Sequence, residues 1–121
     1  MSKTIAIENK KVIEKIKNEY RRRGWIRDLL LFILTINTGV KLTELLKLKV
    51  CDVENKQELT IKETFTKIKK VFPLNEEIQE LVKEYTKDRK AKEPLFISRF
   101  GKSIDRIQVF INFKEICVEL G

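Results

Sequence analysis

The chain has 121 residues, with 26 lysines and arginines against 18 aspartates and glutamates, so its formal net charge is +8. It has no histidine, which excludes a Ser-His-Asp or Cys-His nucleophile pair, His-ligated zinc and an imidazole general base. The positive charge predicts an anionic partner, and nucleic acid and a membrane surface are the two candidates.

The two cysteines, Cys51 and Cys117, are too few for a structural zinc site or a disulfide framework. Both stand among apolar residues, which predicts buried free thiols in a reducing compartment. The N-terminal residues 1–11 contain no apolar signal core, and the most apolar run, residues 29–36, is too short to cross a bilayer. We therefore expect a soluble, cytoplasmic protein that uses no cofactor or metal ion.

Three helices are predicted in the first half of the chain. The first follows Asn9, because apolar residues recur at helical spacing beyond it, and Gly24 ends it. The second, residues 26–37, is apolar almost all round, which indicates a central position in the fold. A break at Gly39 separates it from a short third helix at residues 42–48.

The middle of the chain changes to an alternation of apolar and polar residues, which is typical of half-buried strands. Residues 59–62 and 68–72 predict two strands joined by a hairpin near residues 65–67, and Pro73 ends the second strand. Residues 95–97 form a further short extended piece. The fold class predicted is therefore α+β, mainly helical, with a small antiparallel β-sheet of two to three strands inserted midway.

Two more helices are predicted in the second half. Asn75 caps the first, whose acidic first turn suits the positive end of the helix dipole. The charges of this helix nearly balance up to Lys90, which indicates an outward face. Ser103 is predicted to cap the last helix, whose first N–H groups would suit a phosphate. Its buried stripe is predicted to consist of Ile107, Phe110, Phe113, Cys117 and Leu120.

One segment has a distinctive pattern: an apolar run at residues 27–32 precedes the letters NTGVKLTELLKL at residues 37–48, and Asp52 follows. The later elements are a hairpin ending in Pro-Leu, a helix, a Leu-Phe pair, a Gly-Lys turn and another helix. Both features resemble the tyrosine recombinases, or phage integrases, the first of them their first active-site box. The resemblance covers residues 5–121 and implies an integrase-catalytic-domain-like fold, with residues 1–121 forming a single partial domain.

The resemblance implies a catalytic apparatus that can be compared residue by residue. Members of the family cut DNA by attack of a tyrosine on a phosphodiester, while two arginines and a histidine-like residue hold the phosphate and a hairpin lysine acts as general acid. The first arginine position is Lys41 here, the glutamate is kept as Glu44, and the hairpin lysine position falls on Phe65. A shifted hairpin would let Lys62 or Lys67 replace that lysine.

These departures predict that the chain is not an enzyme and that Lys41, Glu44 and Phe65 are degenerate catalytic positions. In the family's order, the histidine box and the nucleophilic tyrosine would lie beyond residue 121. Tyr20 and Tyr85 belong to apolar helical stripes and are predicted to pack in the core rather than to attack phosphate.

The function predicted from what remains is non-catalytic binding of duplex DNA, because counterion release by lysine and arginine needs no catalytic group. The protein would derive from a mobile element, a phage or a plasmid. The predicted DNA-binding residues are Arg21, Arg22, Arg23, Lys41, Lys67, Lys69, Lys70, Arg99, Lys102 and Arg106.

Two alternatives stay open. A partial domain would leave apolar surface uncovered, so the chain could associate with itself, or with a full-length recombinase as partner or inhibitor. It could instead be a truncated piece of an active integrase acting in DNA recombination or integration. A peripheral membrane role is disfavoured, because no helix pairs a basic face with exposed large aromatic residues.

Overall fold

The computed structural model describes residues 10–121, and within them the predicted α+β fold with a mid-chain antiparallel hairpin is confirmed. Residues 95–97 add no strand, since Ile97 forms only an isolated bridge with Ser103. No helix in the described range is both long and apolar enough to cross a bilayer. The elements are α1 (Lys10–Arg23), α2 (Ile26–Thr38), α3 (Leu42–Leu45), α4 (Val50–Val53), β1 (Glu58–Lys62), β2 (Lys69–Pro73), α5 (Glu76–Tyr85) and α6 (Arg106–Leu120).

Helix α2 lies at the centre of the core, as its apolar composition predicts. Residues 29–34 are all buried, and α2 packs against α1, α5 and α6. The helix ends at Gly39, whose φ of +68° is a left-handed conformation that glycine adopts without a steric penalty. The N–H of Gly39 donates to the carbonyl of Thr35, which satisfies one of the last carbonyls of the helix.

The strand register divides the hairpin into two faces. Leu59 and Ile61 on β1 are buried, and Lys70, the partner of Ile61, lies on the same face. The opposite face carries Lys62 and its partner Lys69, both exposed. Since successive strand residues point to opposite sides, Lys69 and Lys70 lie on opposite faces although they are adjacent in the sequence.

Helix α6 begins later than predicted, and Ser103 is not its cap. The Ser103 hydroxyl donates to the carbonyl of Leu46, while the side chain of Asp105 accepts a hydrogen bond from the N–H of Ile107 at 3.0 Å. The chain is still extended at Ile104, which is buried and donates its N–H to the carbonyl of Phe96. The tertiary contacts of Ser103 and Ile104 therefore delay the helix.

The buried face of α6 also differs from the predicted stripe. Ile116 is fully buried and Val109 and Phe113 pack against the core, whereas Ile107 is 60% and Phe110 51% exposed. Helix α6 is apolar on both sides, so periodicity alone could not decide which side is buried. The exposed side, which we name the α6 outer face, consists of Ile107, Phe110, Ile111 and Val118.

Both cysteines are exposed, contrary to the prediction of buried thiols. Their neighbours Val50 and Ile116 occupy the buried positions instead, because adjacent helix residues point about 100° apart. Partial desolvation still raises the pKa of the Cys117 thiol above its usual value. The apolar neighbourhood in the sequence therefore did not determine which residue of each pair is buried.

Candidate nucleic-acid interface

The arginines at the end of α1, which we name the arginine cluster (Arg21, Arg22 and Arg23), are held in ion pairs. Arg21 donates to Glu77 of α5 at 2.9 Å. Arg22 and Arg23 both donate to Glu19, which lies three and four residues before them in α1. The cluster therefore connects α1 to its neighbours, and its positive charge is matched by carboxylates.

Glu19 is the centre of this network. It is 7% exposed, and hydrogen bonds from Arg22 and then Arg23 lower the pKa of its carboxyl to about 2. Arg23 also donates to Glu115 of α6, and its guanidinium carbon lies 4.9 Å from the centroid of the Trp25 ring. Arg23 thus fixes the end of α1 to the C-terminal half of α6.

The other predicted DNA contacts have a different environment. None of them forms an ion pair with a residue in the range 10–121, and all of them are exposed, as Arg21 and Arg22 also are. Lys62 shares both properties, although it was not among the predicted DNA contacts. Its pairing with Lys69 across the hairpin is the signal that could have identified it. We name this set the α3 basic surface: Lys41, Lys62, Lys67, Lys69, Lys70, Arg99, Lys102 and Arg106.

The segments that carry these cations meet around α3. Lys41 directly precedes α3 and lines, together with Arg106, one cleft of about 670 Å³. The hairpin tip reaches α3 through Thr64, whose hydroxyl donates to the Glu44 carboxylate at 2.9 Å. The turn before α6 reaches the end of α3 through the hydrogen bond from Ser103 to Leu46. The fold thus gathers cations from three distant parts of the sequence.

Glu44, the carboxylate kept in the first active-site box, holds the hairpin in place. The Thr64 hydroxyl, and secondarily the Lys47 ammonium group, hydrogen-bond to it and lower its pKa below the usual value. Its oxygens are therefore occupied by partners within the chain. Its role in this structure is to join α3 to the hairpin tip.

Phe65 lies at the hairpin tip and is 91% exposed. The turn around it is closed by its own hydrogen bonds: Lys67 donates its N–H to the carbonyl of Glu63 at 3.0 Å, and Thr66 donates its hydroxyl to the Glu63 carboxylate at 2.8 Å. Lys67 adopts a φ of +61°, which reverses the chain before β2. The ring is therefore presented from an ordered turn.

The turn before α6 presents Arg99 and Lys102 to solvent. The Arg99 guanidinium carbon lies 5.0 Å from the centroid of the Phe100 ring. At the start of α6, the Asp105 carboxylate occupies the N–H of Ile107, so the predicted phosphate site at the helix N–H groups is already filled by a negative charge. A phosphate would meet the side chains there, not the backbone.

The two tyrosines pack as predicted. Tyr20 is 3% exposed between Trp25 and Phe32, and burial, followed by the charge of Asp28, raises its pKa far above the usual value. The Tyr85 ring stacks on Phe96, and its hydroxyl accepts a hydrogen bond from a backbone N–H. Both rings are therefore held by packing against other aromatic side chains.

Residues 8–121 match the family model described as the phage integrase family. A protein named "Probable integrase/recombinase YoeC" from Bacillus subtilis (strain 168) is 38% identical over 112 residues, which are 90% of this chain and 62% of that relative. The chain thus spans less than two thirds of the relative's length. No solved structure gave a significant match.

These findings overturn the prediction that the chain is not an enzyme. The matched family is a family of enzymes, and the relative is itself named as an integrase or recombinase. The substitutions at Lys41 and Phe65 and the absence of histidine are departures from the catalytic pattern, but they do not establish that catalysis is lost. The resemblance found around the first active-site box is confirmed: the chain belongs to the phage integrase family, whose members act in DNA recombination.

Proposed function

We propose that this chain is a part of a tyrosine recombinase that binds duplex DNA during recombination, and that it does so through the α3 basic surface. One observation carries the proposal. The structure divides the predicted DNA contacts into arginines that carboxylates already neutralise and exposed cations, around α3, that no described carboxylate neutralises.

Unpaired surface cations are suited to phosphate, because their charge is not offset within the protein. Each phosphate contact releases condensed counterions and contributes about −0.9 to the slope of log affinity against log salt. By the same relation, one contact makes binding in about 0.1 M salt roughly eightfold tighter relative to binding in about 1 M salt. Lys41 would hold a phosphate as a point charge, without the two-pronged contact that an arginine makes.

The test is fluorescence anisotropy of a labelled duplex, titrated with the protein over a series of salt concentrations. We expect log affinity to fall linearly with log salt. A Lys69→Glu and Lys102→Glu double variant removes one cation from the outer face of the hairpin and one from the turn before α6. Its affinity in about 0.1 M salt is expected to fall roughly 60-fold, from the loss of two contacts alone.

The control is a Lys83→Glu and Lys87→Glu double variant, which changes the net charge equally at exposed positions on and just after α5. It is expected to bind within about threefold of the unmodified chain, because screened charges act little beyond roughly 10 Å. Equal weakening by both variants would contradict the assignment to the α3 basic surface. Failure of the unmodified chain to bind duplex DNA at low salt would contradict the proposed function itself.

A second candidate function is association with another recombinase chain, in the simplest case a second copy of this one. The α6 outer face favours it, because a helix that is apolar on both faces is ordinarily buried on both. Its residues are 51% to 72% exposed. Sedimentation velocity is expected to show dimers that an Ile111→Glu variant dissociates, and monomers throughout the concentration range would contradict this candidate.

A further inference from the structure

Phe65 is the most exposed large hydrophobic side chain in residues 10–121. No ring or cation contact holds its aromatic face within that range, whereas Phe100, which is 75% exposed, lies against the guanidinium of Arg99. A single exposed apolar residue is ordinary on a protein surface. Phe65 differs because hydrogen bonds hold the residues on both sides of it and because lysines surround it.

The residues on both sides of Phe65 are held by hydrogen bonds. On one side, the hydroxyl of Thr64 is fixed by Glu44 and Lys47 of the α3 region. On the other side, Thr66 is fixed by its bond to Glu63. The residues on either side of Phe65 are therefore held by hydrogen bonds, so less backbone entropy would be lost there when a partner covers the ring.

Three unpaired lysines surround the tip, together with the Glu63 carboxylate that accepts the hydrogen bond from Thr66. Lys62 and Lys69 face each other at the base of the loop, and Lys67 lies two residues beyond Phe65. All are exposed without an ion pair to a described residue, and Ile68 between them is 55% exposed. An apolar ring flanked by cations matches a duplex, in which stacked bases lie between two rows of phosphates.

We propose that Phe65 is a wedge that the hairpin inserts between two stacked base pairs, while Lys62, Lys67 and Lys69 hold the phosphates on either side. This inference rests on the proposed binding of duplex DNA and adds a preferred substrate. Apolar side chains that enter from the minor groove unstack a base step and bend the duplex. Pyrimidine–purine steps unstack most easily, so a TA or CA step is the preferred insertion site.

The experiment uses duplexes that carry 2-aminopurine at successive base steps, including TA and CA steps, because unstacking raises its fluorescence. Anisotropy of the same samples reports binding separately. The unmodified chain is expected to raise the fluorescence at one pyrimidine–purine step. A Phe65→Ala variant is expected to lose that rise while still binding within roughly tenfold, since the lysine contacts remain. A Phe65→Trp variant is expected to restore it.

The matched control is Phe100→Ala, which removes an exposed ring of the same kind from the turn before α6. It is expected to keep the fluorescence rise, because its ring lies in the turn before α6 and not at the hairpin tip. Binding of the unmodified chain without any fluorescence rise would overturn the wedge and leave the proposed function standing. An equal rise with Phe65→Ala would also overturn it, and absence of binding would overturn both proposals.

Discussion

The basic run at residues 21–23 and the basic run at residues 67–70 look alike in the sequence, yet the fold gives them opposite electrostatic settings. The first is the arginine cluster, whose partners Glu77 and Glu115 lie 56 and 92 residues away from Arg21 and Arg23. The second lies in the hairpin, and no described carboxylate pairs with its lysines. A run of positive charge in the sequence therefore does not by itself indicate a binding surface. The tertiary structure must first show whether carboxylates pair with it.

The two regions also differ in what they do for the molecule. The arginine cluster joins α1 to α5 and α6 and surrounds a carboxylate that is 7% exposed. Among residues 10–121, the cations of the α3 basic surface form no ion pair that joins two elements. We therefore expect changes in the arginine cluster to affect folding and changes in the α3 basic surface to affect DNA binding.

The largest effect is expected when three cations of the α3 basic surface are removed together. A Lys41→Ala, Lys69→Ala and Arg106→Ala variant should bind duplex DNA roughly 500-fold more weakly in about 0.1 M salt, with a salt slope smaller by about 2.7, because three phosphate contacts are lost. Anisotropy over a salt series measures both values. Circular dichroism should show an unchanged fold.

The matched comparison is Arg21→Ala, Arg22→Ala and Arg23→Ala, which changes the net charge by the same amount. Its folded fraction is expected to bind DNA within about threefold of the unmodified chain, because these charges are already paired. A loss as large as that of the α3 variant would show that the arginine cluster releases its carboxylates to bind phosphate. That result would remove the distinction between the two regions.

The next effect concerns thermal stability. Here a change in the arginine cluster is expected to have a larger effect than a change in the α3 basic surface. An Arg23→Ala variant should unfold at a clearly lower temperature, because Glu19 and Glu115 lose a shared partner and Glu19 stays buried. Lys69→Ala should change the free energy of unfolding by less than about 0.5 kcal/mol, as at an ordinary surface site. Thermal denaturation followed by circular dichroism decides between them. Equal stabilities would mean that the cluster is not a structural connection.

A smaller effect follows from the lowered pKa of Glu19. Its carboxyl titrates at about 2 in the folded chain against an ordinary value of 4.5, so its ion pairs stabilise the fold fully above pH 4.5. That stabilisation is lost as the pH falls from 4.5 towards 2. A Glu19→Gln variant should show a shallower loss of stability in this range. Glu84→Gln, at an exposed position of α5, should keep the original profile.

The smallest effect is expected at the joint between α3 and the hairpin. A Thr64→Val variant removes the hydrogen bond to Glu44, so the pKa of Glu44 should rise towards its usual value, which an NMR titration would detect. DNA affinity should change by less than about fivefold, as expected for one exposed hydrogen bond. Thr60→Val, on the exposed face of β1, is the control. An unchanged Glu44 titration would show that Thr64 does not hold the tip.

Much of the fold was predictable, because it follows from local patterns. The all-round apolar composition of α2 implied a central helix, and Asn75 caps α5 as predicted, accepting the N–H of Ile78 at 2.9 Å. Helix α6 was harder. Its two apolar sides satisfy the same periodicity, so the choice of buried side depended on which one α1 and α2 could pack against.

The sequence predicted which types of residue form the candidate site. It did not predict which of the candidate residues the fold would bring together. Around Lys41 and Glu44 the pattern of letters sufficed to indicate the family, because that box is continuous in the chain. The hydrogen bond between Glu44 and Thr64, 20 residues away, could not be predicted from the local pattern of either segment. The same holds for the opposite orientations of Lys69 and Lys70, which depend on the hairpin register.

By itself, then, the sequence determined the order of elements, the excess of positive charge and membership in the phage integrase family. Each of these is carried by composition or by short continuous patterns. Only the tertiary structure decided which cations pair with carboxylates and which have no ion pair within residues 10–121. The physical reason is that ion pairs act over a few ångströms of space. The fold brings carboxylates of α5 and α6 within reach of the arginines of α1, and no local pattern in the sequence could reveal this.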